Sequence, residues 1–298
     1  MPTDQVDATT LSPQQRLAAA ARALRWPLII GFAALAGPTL ASLGKQVWTR
    51  ESGAHGPIVL ATGAWLIWRR LDSFRELGRP GSAWLTAPAM LVSLAVYVFG
   101  RAFDFIALEA AGLYGVGIAM LYSVVGLQAV LRNWFPLFYM AFLVPPPEWF
   151  LDKFTGPLKQ FVSFAATGSL YAAGLPIGRE GVTIHVAQYQ LLVEDACSGM
   201  NSLTGLVAIS LFYIYLLRGS SLRYSAILTA FVVPIAVVGN IVRVMTLILM
   251  TYFLGDQVAQ GFAHGLAGML LFAVDLLLVF AVDSALIRIL PKSWRPLA

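Results

Sequence analysis

A series of eight apolar stretches constrains this chain more than any other feature of its sequence. They cover about residues 27–44, 57–70, 83–101, 105–131, 134–151, 199–217, 224–250 and 263–288. A helix needs about 20 apolar residues to cross the hydrocarbon core of a bilayer. The second stretch is short for a span, and the fifth ends at Pro145–Pro147, where a helix cannot continue. The sequence therefore predicts an all-α polytopic membrane protein with about eight transmembrane helices.

The composition supports this class and argues against a nucleic-acid partner. Hydrophobic residues make up 58% of the chain and charged residues only 12%, whereas soluble domains carry about 25% charged residues. The basic residues outnumber the acidic ones by 20 to 15, but they are dispersed between the apolar stretches. Such dispersed basic residues are typical of the loops that set membrane topology. We expect the lipid bilayer to be a partner of the protein and nucleic acid not to be one.

The distribution of basic residues also predicts the orientation. With the N-terminus in the cytoplasm, thirteen of the 20 Lys and Arg residues fall on the cytoplasmic side and seven on the outer side. We therefore predict an uncleaved first span after a cytoplasmic tail at 1–26. The transmembrane region is expected at 27–290, with an outer-face segment at 152–198 and a second cytoplasmic tail at 291–298.

The outer-face segment is long enough to form a small subdomain. Residues 153–173 predict an amphipathic helix on the membrane surface. Its proposed apolar face comprises Phe154, Leu158, Phe161, Val162 and Leu170. Residues 182–193 alternate between apolar and polar side chains, which predicts a short β-hairpin that leads towards the sixth span.

Cys197 is the only cysteine of the chain, and it lies where the outer segment meets the sixth span. A lone cysteine is more often a packing residue than a nucleophile. Two polar residues of the later spans weigh against that interpretation: Arg243, which shares a helix face with Asn240, and His264, which opens the eighth span. Charged groups inside spans are costly and usually functional. Snorkelling would also explain Arg243, and an interfacial position would explain His264.

The predicted topology brings Cys197, Arg243 and His264 to the outer ends of the last three spans. A thiol becomes nucleophilic when it is deprotonated, and a nearby imidazole or cation lowers its pKa. We expect His264 to act as a base and then as an acid. We expect Arg243 to stabilise the thiolate or the oxyanion of a tetrahedral intermediate. Either Asp195 or Glu194 is expected to orient His264 or to bind substrate.

The order of these residues resembles that of the exosortase/archaeosortase family of membrane cysteine transpeptidases. The resemblance rests on three short motifs, which are Ala196-Cys197-Ser198-Gly199, Asn240-x-x-Arg243 and His264-x-x-x-Gly268. Weaker likenesses occur at His55-Gly56, at Trp65–Arg70, and at Trp134–Leu137 before Val144-Pro145. Together the motifs cover about residues 50–275.

The resemblance implies Cys197 as nucleophile, with Arg243 and His264 completing the site, and no cofactor or metal. It implies that the substrates are secreted proteins whose C-terminal sorting signal joins a Pro-Glu-Pro-like (PEP-CTERM) motif, a transmembrane helix and a basic cluster. Cleavage would occur at the periplasmic face of the bacterial inner membrane, through a thioester, with transfer to an unknown acceptor. The chain has Asp195 where many members have Glu, and Asn201 where many have Arg, so the substrate subclass stays open.

Six further residues are candidates for orienting the catalytic groups or for binding substrate. They are Asp195, Glu194, Asn240, Asn201, Ser198 and His55. His55 lies in the predicted outer loop Lys45–Gly56. Two interpretations are open there, a group that approaches the site and an exposed loop histidine, and the second is preferred.

Other functions also fit parts of the pattern. A transporter or channel would use Arg243, His264 and Asp275 along a polar pathway, with Asp283 either joining it or pairing with Arg288. A structural membrane subunit would need no reactive thiol.

Two further protease classes are disfavoured by the sequence. A zinc protease is disfavoured because the chain lacks the His-Glu-x-x-His spacing: its histidines, His55, His185 and His264, are scattered. A serine protease that uses Ser198 is disfavoured because the chain lacks the Gly-x-Ser-x-Gly elbow.

Overall fold

The computed structural model confirms a helical membrane protein with a small sheet. It describes the whole chain except residues 1–12, 51–52, 182, 187, 193–198, 220, 261, 292–293 and 295–298. In the described part, five helices are long and apolar enough to cross a membrane. They are Trp26–Gln46, Ala83–Ala102, Ile106–Arg132, Leu222–Leu254 and Gly268–Ile289.

The elements follow one another in a simple order. The helices are α1 (Pro13–Gln46), α2 (Gly56–Arg69), α3 (Leu71–Glu76), α4 (Ala83–Ala102), α5 (Ile106–Arg132), α6 (Trp134–Met140), α7 (Glu148–Ala172), α8 (Gly199–Arg218), α9 (Leu222–Leu254), α10 (Asp256–Gln260) and α11 (Phe262–Ile289). The strands, between α7 and α8, are β1 (Ile177–Glu180), β2 (Thr183–Val186) and β3 (Tyr189–Leu192).

Two of the eight predicted spans, the second and the fifth, differ from full-length spanning helices. The second is α2, whose 14 residues extend only about 21 Å at about 1.5 Å per residue. The fifth is α6, which passes into a 3₁₀ turn at Ala141–Leu143 before the three prolines. The sixth is α8, whose 20 residues at Gly199–Arg218 match the length that a span requires. The prediction of about eight spans rested on hydropathy, which does not show where a short apolar helix ends.

The chain divides into two compact units. The first contains Met1–Gly44 and Arg70–Trp134, and the second contains Lys45–Arg69 and Phe135–Ala298.

A buried carboxylate organises the first unit. Glu109 on α5 is only 3% exposed. Its Oε1 accepts hydrogen bonds from Thr39 Oγ1 on α1 at 2.7 Å and from an Arg101 nitrogen on α4 at 3.0 Å. The hydroxyl of Tyr97 on α4 donates to the Leu35 carbonyl of α1 at 3.1 Å. Three helices are therefore held together by polar contacts that the sequence analysis did not identify.

The second unit contains the sheet and the helices that support it. The strands are antiparallel in the order β1-β2-β3, so the predicted hairpin is part of a three-stranded sheet. Its apolar face packs against α7 and the second half of α9. The buried residues of this cluster are Val162, Ala166, Leu170, Ile177, Ile184, Val186, Leu191, Val244, Leu247, Ile248 and Ala259.

The apolar face of α7 agrees with the prediction at Leu158, Val162 and Leu170 but not at Phe161. Val162, Ala166 and Leu170 are buried with a spacing of four residues, and Leu158 is partly buried beside them. Phe161, which was assigned to that face, is 54% exposed. A ring at position 161 is turned about 100° away from Val162, so both residues cannot face the sheet.

A second buried carboxylate joins α8, α9 and α11. Asp283 on α11 is 1% exposed. It accepts hydrogen bonds from Tyr213 at 2.6 Å, from Arg218 at 2.8 Å and from Tyr224 at 2.7 Å. Asp283 thus pairs with Arg218 of α8, where the sequence had suggested Arg288 of its own helix. Arg288 lies five residues further on, which is about 140° around α11.

We expect Asp283→Asn to destabilise the second unit strongly. The substitution leaves the Arg218 guanidinium without its counter-charge at a site where the Asp283 side chain is 2% exposed. Removing one partner of a buried ion pair costs about 3–5 kcal/mol of unfolding free energy. Denaturant titration in detergent measures this loss.

The matched control is Asp72→Asn. Asp72 pairs with Arg75 at 3.5 Å, but its side chain is 87% exposed, so its loss should cost less than about 1 kcal/mol. Equal effects of the two substitutions would show that burial of the Asp283 pair is unimportant.

Candidate functional site

The candidate nucleophile lies in a short run outside the described residues. That run, 193–198, contains Glu194, Asp195, Cys197 and Ser198. It connects Leu192, the last residue of β3, with Gly199, the first residue of α8. The backbone of Asn201 belongs to the first turn of α8. The flanking strand is fixed through Leu191, which packs in the same cluster as Val244 of α9.

Arg243 is buried in the second unit and contacts α11. Its side chain is 9% exposed, and one terminal nitrogen donates to the Gly268 carbonyl at 3.0 Å. A Cβ at position 268 would lie 2.8 Å from that nitrogen, so glycine leaves room for the guanidinium. This environment is the interior of a helix pair, which differs from the snorkelling that the sequence also allowed.

His264 lies near Arg243 along α11. Its backbone belongs to the first turn of that helix, and its side chain is outside the described part. Residues four apart lie one turn apart on one helix face, so His264 and Gly268 share a face of α11. Arg243 therefore contacts α11 one turn from the candidate base.

Two further polar residues of the same helix pair are placed by the structure. Asn240, one turn before Arg243, is 5% exposed. Asp275 lies on α11, and a Cβ at Gly239 of α9 would collide with its carboxylate. The sequence analysis did not identify the glycines that admit Arg243 and Asp275. A small residue opposite each charge is a signal only once the pairing of the two helices is known.

His55 is half-buried, and the expectation of an exposed loop histidine is wrong. It precedes α2 and forms a hydrogen bond with the Phe142 backbone. A Cβ at Gly205 of α8 would lie 3.3 Å from the His55 Cβ. Burial lowers the pKa of His55, and the hydrogen bond to Phe142 opposes this shift in part. The imidazole is therefore neutral at pH 7.

The third histidine lies away from these contacts. His185 is on β2, with its Nε2 3.9 Å from Glu180 Oε2 and its side chain 40% exposed. Within the ranges that the structure describes, no group of three or more His, Cys, Asp or Glu residues is arranged to hold a metal.

The chain matches a known protein family. A family model described as transmembrane exosortase matches residues 47–281. This region is more than three quarters of the 298 residues, and it extends from before α2 to most of α11. No curated protein and no solved structure matches the chain.

We expect His55 to make the protein less stable in acid. The folded state favours the neutral imidazole, so it binds fewer protons than the unfolded chain below the unfolded pKa of about 6.5. Stability is therefore lost as the pH falls through and below that value. The melting temperature in detergent, measured between pH 7.5 and 5.5, should fall less steeply for His55→Gln than for wild type.

His185→Gln is the control for this measurement. Its side chain is partly exposed on the sheet, so the substitution should leave the wild-type pH dependence unchanged. A wild-type slope in His55→Gln would contradict the expected effect of His55 burial.

Proposed function

The chain belongs to the transmembrane exosortase family, and on that premise we propose that it cleaves C-terminal sorting signals of secreted proteins as a membrane cysteine transpeptidase. The family is one of cysteine-type transpeptidases. The observation that carries the proposal is the buried guanidinium of Arg243, bonded to α11 one turn from His264. A permanent positive charge in an apolar bundle is costly, and stabilisation of anionic species during acyl transfer accounts for it.

The proposed reaction divides into two acyl transfers. His264 accepts the proton of the Cys197 thiol, and the thiolate attacks the carbonyl carbon beside the Pro-Glu-Pro-like motif. The carbon–nitrogen bond breaks, His264 protonates the leaving amine, and the substrate remains bound as a thioester. A nucleophile of the acceptor then gives its proton to His264, attacks the thioester carbonyl and displaces the Cys197 thiolate, which takes that proton from His264.

Arg243 is proposed to stabilise negative charge in both transfers. A guanidinium stays charged at all physiological pH values. In a medium of low dielectric constant its field is much stronger than in water. It therefore lowers the pKa of a nearby thiol and stabilises an oxyanion.

The remaining candidates are assigned to substrate contacts or to orientation. We assign Asp195, Glu194, Asn201 and Ser198 to the neighbourhood of the nucleophile because they lie within four residues of Cys197. We assign Asn240 and His55 to positions further from the nucleophile. Asn240 is buried on α9, which packs against α11, and His55 is half-buried beside Gly205 of α8.

We propose that the site faces the periplasm in a multi-pass inner-membrane protein. The sheet, Arg243 and the start of α11 belong to one end of the second unit, whereas Arg218, Arg223 and Arg288 belong to the other. Basic residues favour the cytoplasmic side. The basic cluster of the sorting signal then stays in the cytoplasm while its motif reaches Cys197.

Transport is the other function that buried polar residues favour. The contacts of Arg243 with Gly268, and of Asp275 with Gly239, favour a packed helix pair over a polar pathway. We therefore rank transport below transpeptidation.

Cys197→Ser should abolish processing of a co-expressed protein that carries the sorting signal. A hydroxyl is a far weaker nucleophile than a thiolate, so the rate should fall by about 1,000-fold or more. A gel shift of the substrate measures processing, and membrane fractionation verifies that the variant still inserts. If Cys197→Ser processes substrate at the wild-type rate, the thiol is a packing residue, and transport becomes the preferred function.

Arg243→Lys should lower the processing rate by at least about tenfold although it keeps the charge. An ammonium lacks the planar fork of the guanidinium and cannot reproduce its geometry. Arg223→Lys is the matched control, because Arg223 stacks on Trp294 at the opposite end of α9, and it should process substrate at the wild-type rate. Full activity of Arg243→Lys would exclude a role for guanidinium geometry.

A further inference from the structure

Two charged residues enter the contact between α9 and α11, each opposite a glycine of the other helix. Arg243 of α9 lies on Gly268 of α11, with a nitrogen 3.0 Å from the Gly268 carbonyl. The carboxylate of Asp275 on α11 lies on Gly239 of α9, so closely that a Cβ there would overlap it. We call these two contacts, Arg243 on Gly268 and Asp275 on Gly239, the two seats. They are reciprocal, because in each of them a charged group occupies the space that a side chain on the facing helix would take.

The depth of the two seats differs in a consistent direction. Asp275 lies seven residues beyond Gly268, which is about 10 Å further from the start of α11. Gly239 precedes Arg243 by four residues, about 6 Å further into the antiparallel helix. Asp275 therefore lies on the interior side of Arg243, away from the end of the unit that carries the sheet. The two charges attract each other electrostatically.

We propose that Asp275 is a positioning residue for Arg243. A guanidinium on a flexible stem tends to move outward to the headgroups. The carboxylate on its interior side opposes that movement, because the opposite charges attract strongly in a medium of low dielectric constant. The Gly268 carbonyl fixes the guanidinium at the same level. The catalytic meaning of this arrangement rests on the proposed function, but the Asp275–Arg243 coupling does not.

Among the described residues of α11, no other polar contact explains an aspartate at this depth. The second aspartate of that helix, Asp283, belongs to the separate cluster with Tyr213, Arg218 and Tyr224. An apolar side chain at position 275 would avoid the cost of a carboxylate within a span. The chain nevertheless has a carboxylate at position 275 and, facing it, a glycine that leaves room for it. Both features favour a role for the charge of Asp275.

A double-substitution cycle tests the coupling without reference to activity. Melting temperatures in detergent are measured for wild type, Asp275→Asn, Arg243→Gln and the variant with both substitutions. We expect each single substitution to lower the melting temperature, since each removes the attraction between the two charges. The double variant should be no less stable than the worse single variant. Losses that add would overturn the inference.

The pH dependence of Cys197 alkylation tests positioning at the site. Iodoacetamide labels only this thiol, because the chain has one cysteine, and the labelling rate is measured in membranes between pH 6 and 10. Arg243→Gln should raise the pH midpoint of alkylation. Asp275→Asn should also raise it if Arg243 loses its position. Removal of a negative charge alone would lower the midpoint, so a lower midpoint would overturn positioning.

The same data separate the inference from the proposed function. In the Arg243→Gln background only the direct charge effect remains, so Asp275→Asn should then lower the midpoint. If Arg243→Gln leaves the wild-type midpoint unchanged, Arg243 does not act on Cys197 and that part of the proposed function fails. The melting-temperature cycle then decides alone whether Asp275 and Arg243 are coupled.

Gly239→Ala provides a second variant that keeps every charge. Its added methyl group displaces the Asp275 carboxylate, so it should shift the alkylation midpoint in the same direction as Asp275→Asn. Gly168→Ala on α7 is the matched control, because a Cβ there meets nothing within 4 Å, and it should leave the midpoint unchanged. An unshifted midpoint in Gly239→Ala would contradict the need for an Asp275 seat.

Discussion

The desolvation of charge within apolar helices is the constraint on which the rest of this structure depends. A charged side chain that leaves water loses several kcal/mol unless another group compensates it. Among the described residues, Glu109, Asp283 and Arg243 are buried charges, and each is met by groups from other helices. Glu109 connects α5 with α1 and α4. Asp283 connects α11 with α8 and α9. Apolar packing fills the space between these contacts, but it carries little directional information, so the polar contacts specify which helices pair and at what level.

The sheet gives the second unit a fixed end beside Arg243. Its apolar face covers part of α7 and the second half of α9, including Val244, the residue next to Arg243. The strand that leads towards Cys197 is therefore held against the helix that carries the cation. A flexible loop would lose conformational entropy whenever the thiol met its partners. A sheet anchored by buried Ile184 and Leu191 loses much of that freedom during folding instead.

The sequence was sufficient for the class of protein and for the family, because both depend on patterns that are local. Runs of apolar residues predicted the helices α1, α4, α5, α9 and α11, and the short motifs around Cys197, Arg243 and His264 indicated the family. The lengths of the helices α2 and α6 were less predictable, because hydropathy does not distinguish a short apolar helix from a span.

The contacts between distant elements could not be predicted. The pairing of Asp283 with Arg218, the burial of Glu109 and the position of His55 against Gly205 depend on which helices become neighbours. Phe161 was assigned to the buried face of α7 because it is bulky and apolar, yet its ring is exposed on the second unit. Apolarity alone therefore does not identify the protein-facing side of a membrane helix.

The reciprocal seats on α9 and α11 also restrict how this sequence can change over time. A methyl group acquired at Gly239 collides with the Asp275 carboxylate, and one at Gly268 meets the Arg243 guanidinium. An alanine at either position therefore requires the facing charged side chain to move, because the atoms in its way are the ends of those side chains. A change at one of these glycines is therefore felt on the other helix, as a displacement of a charge and not as a change of the local backbone.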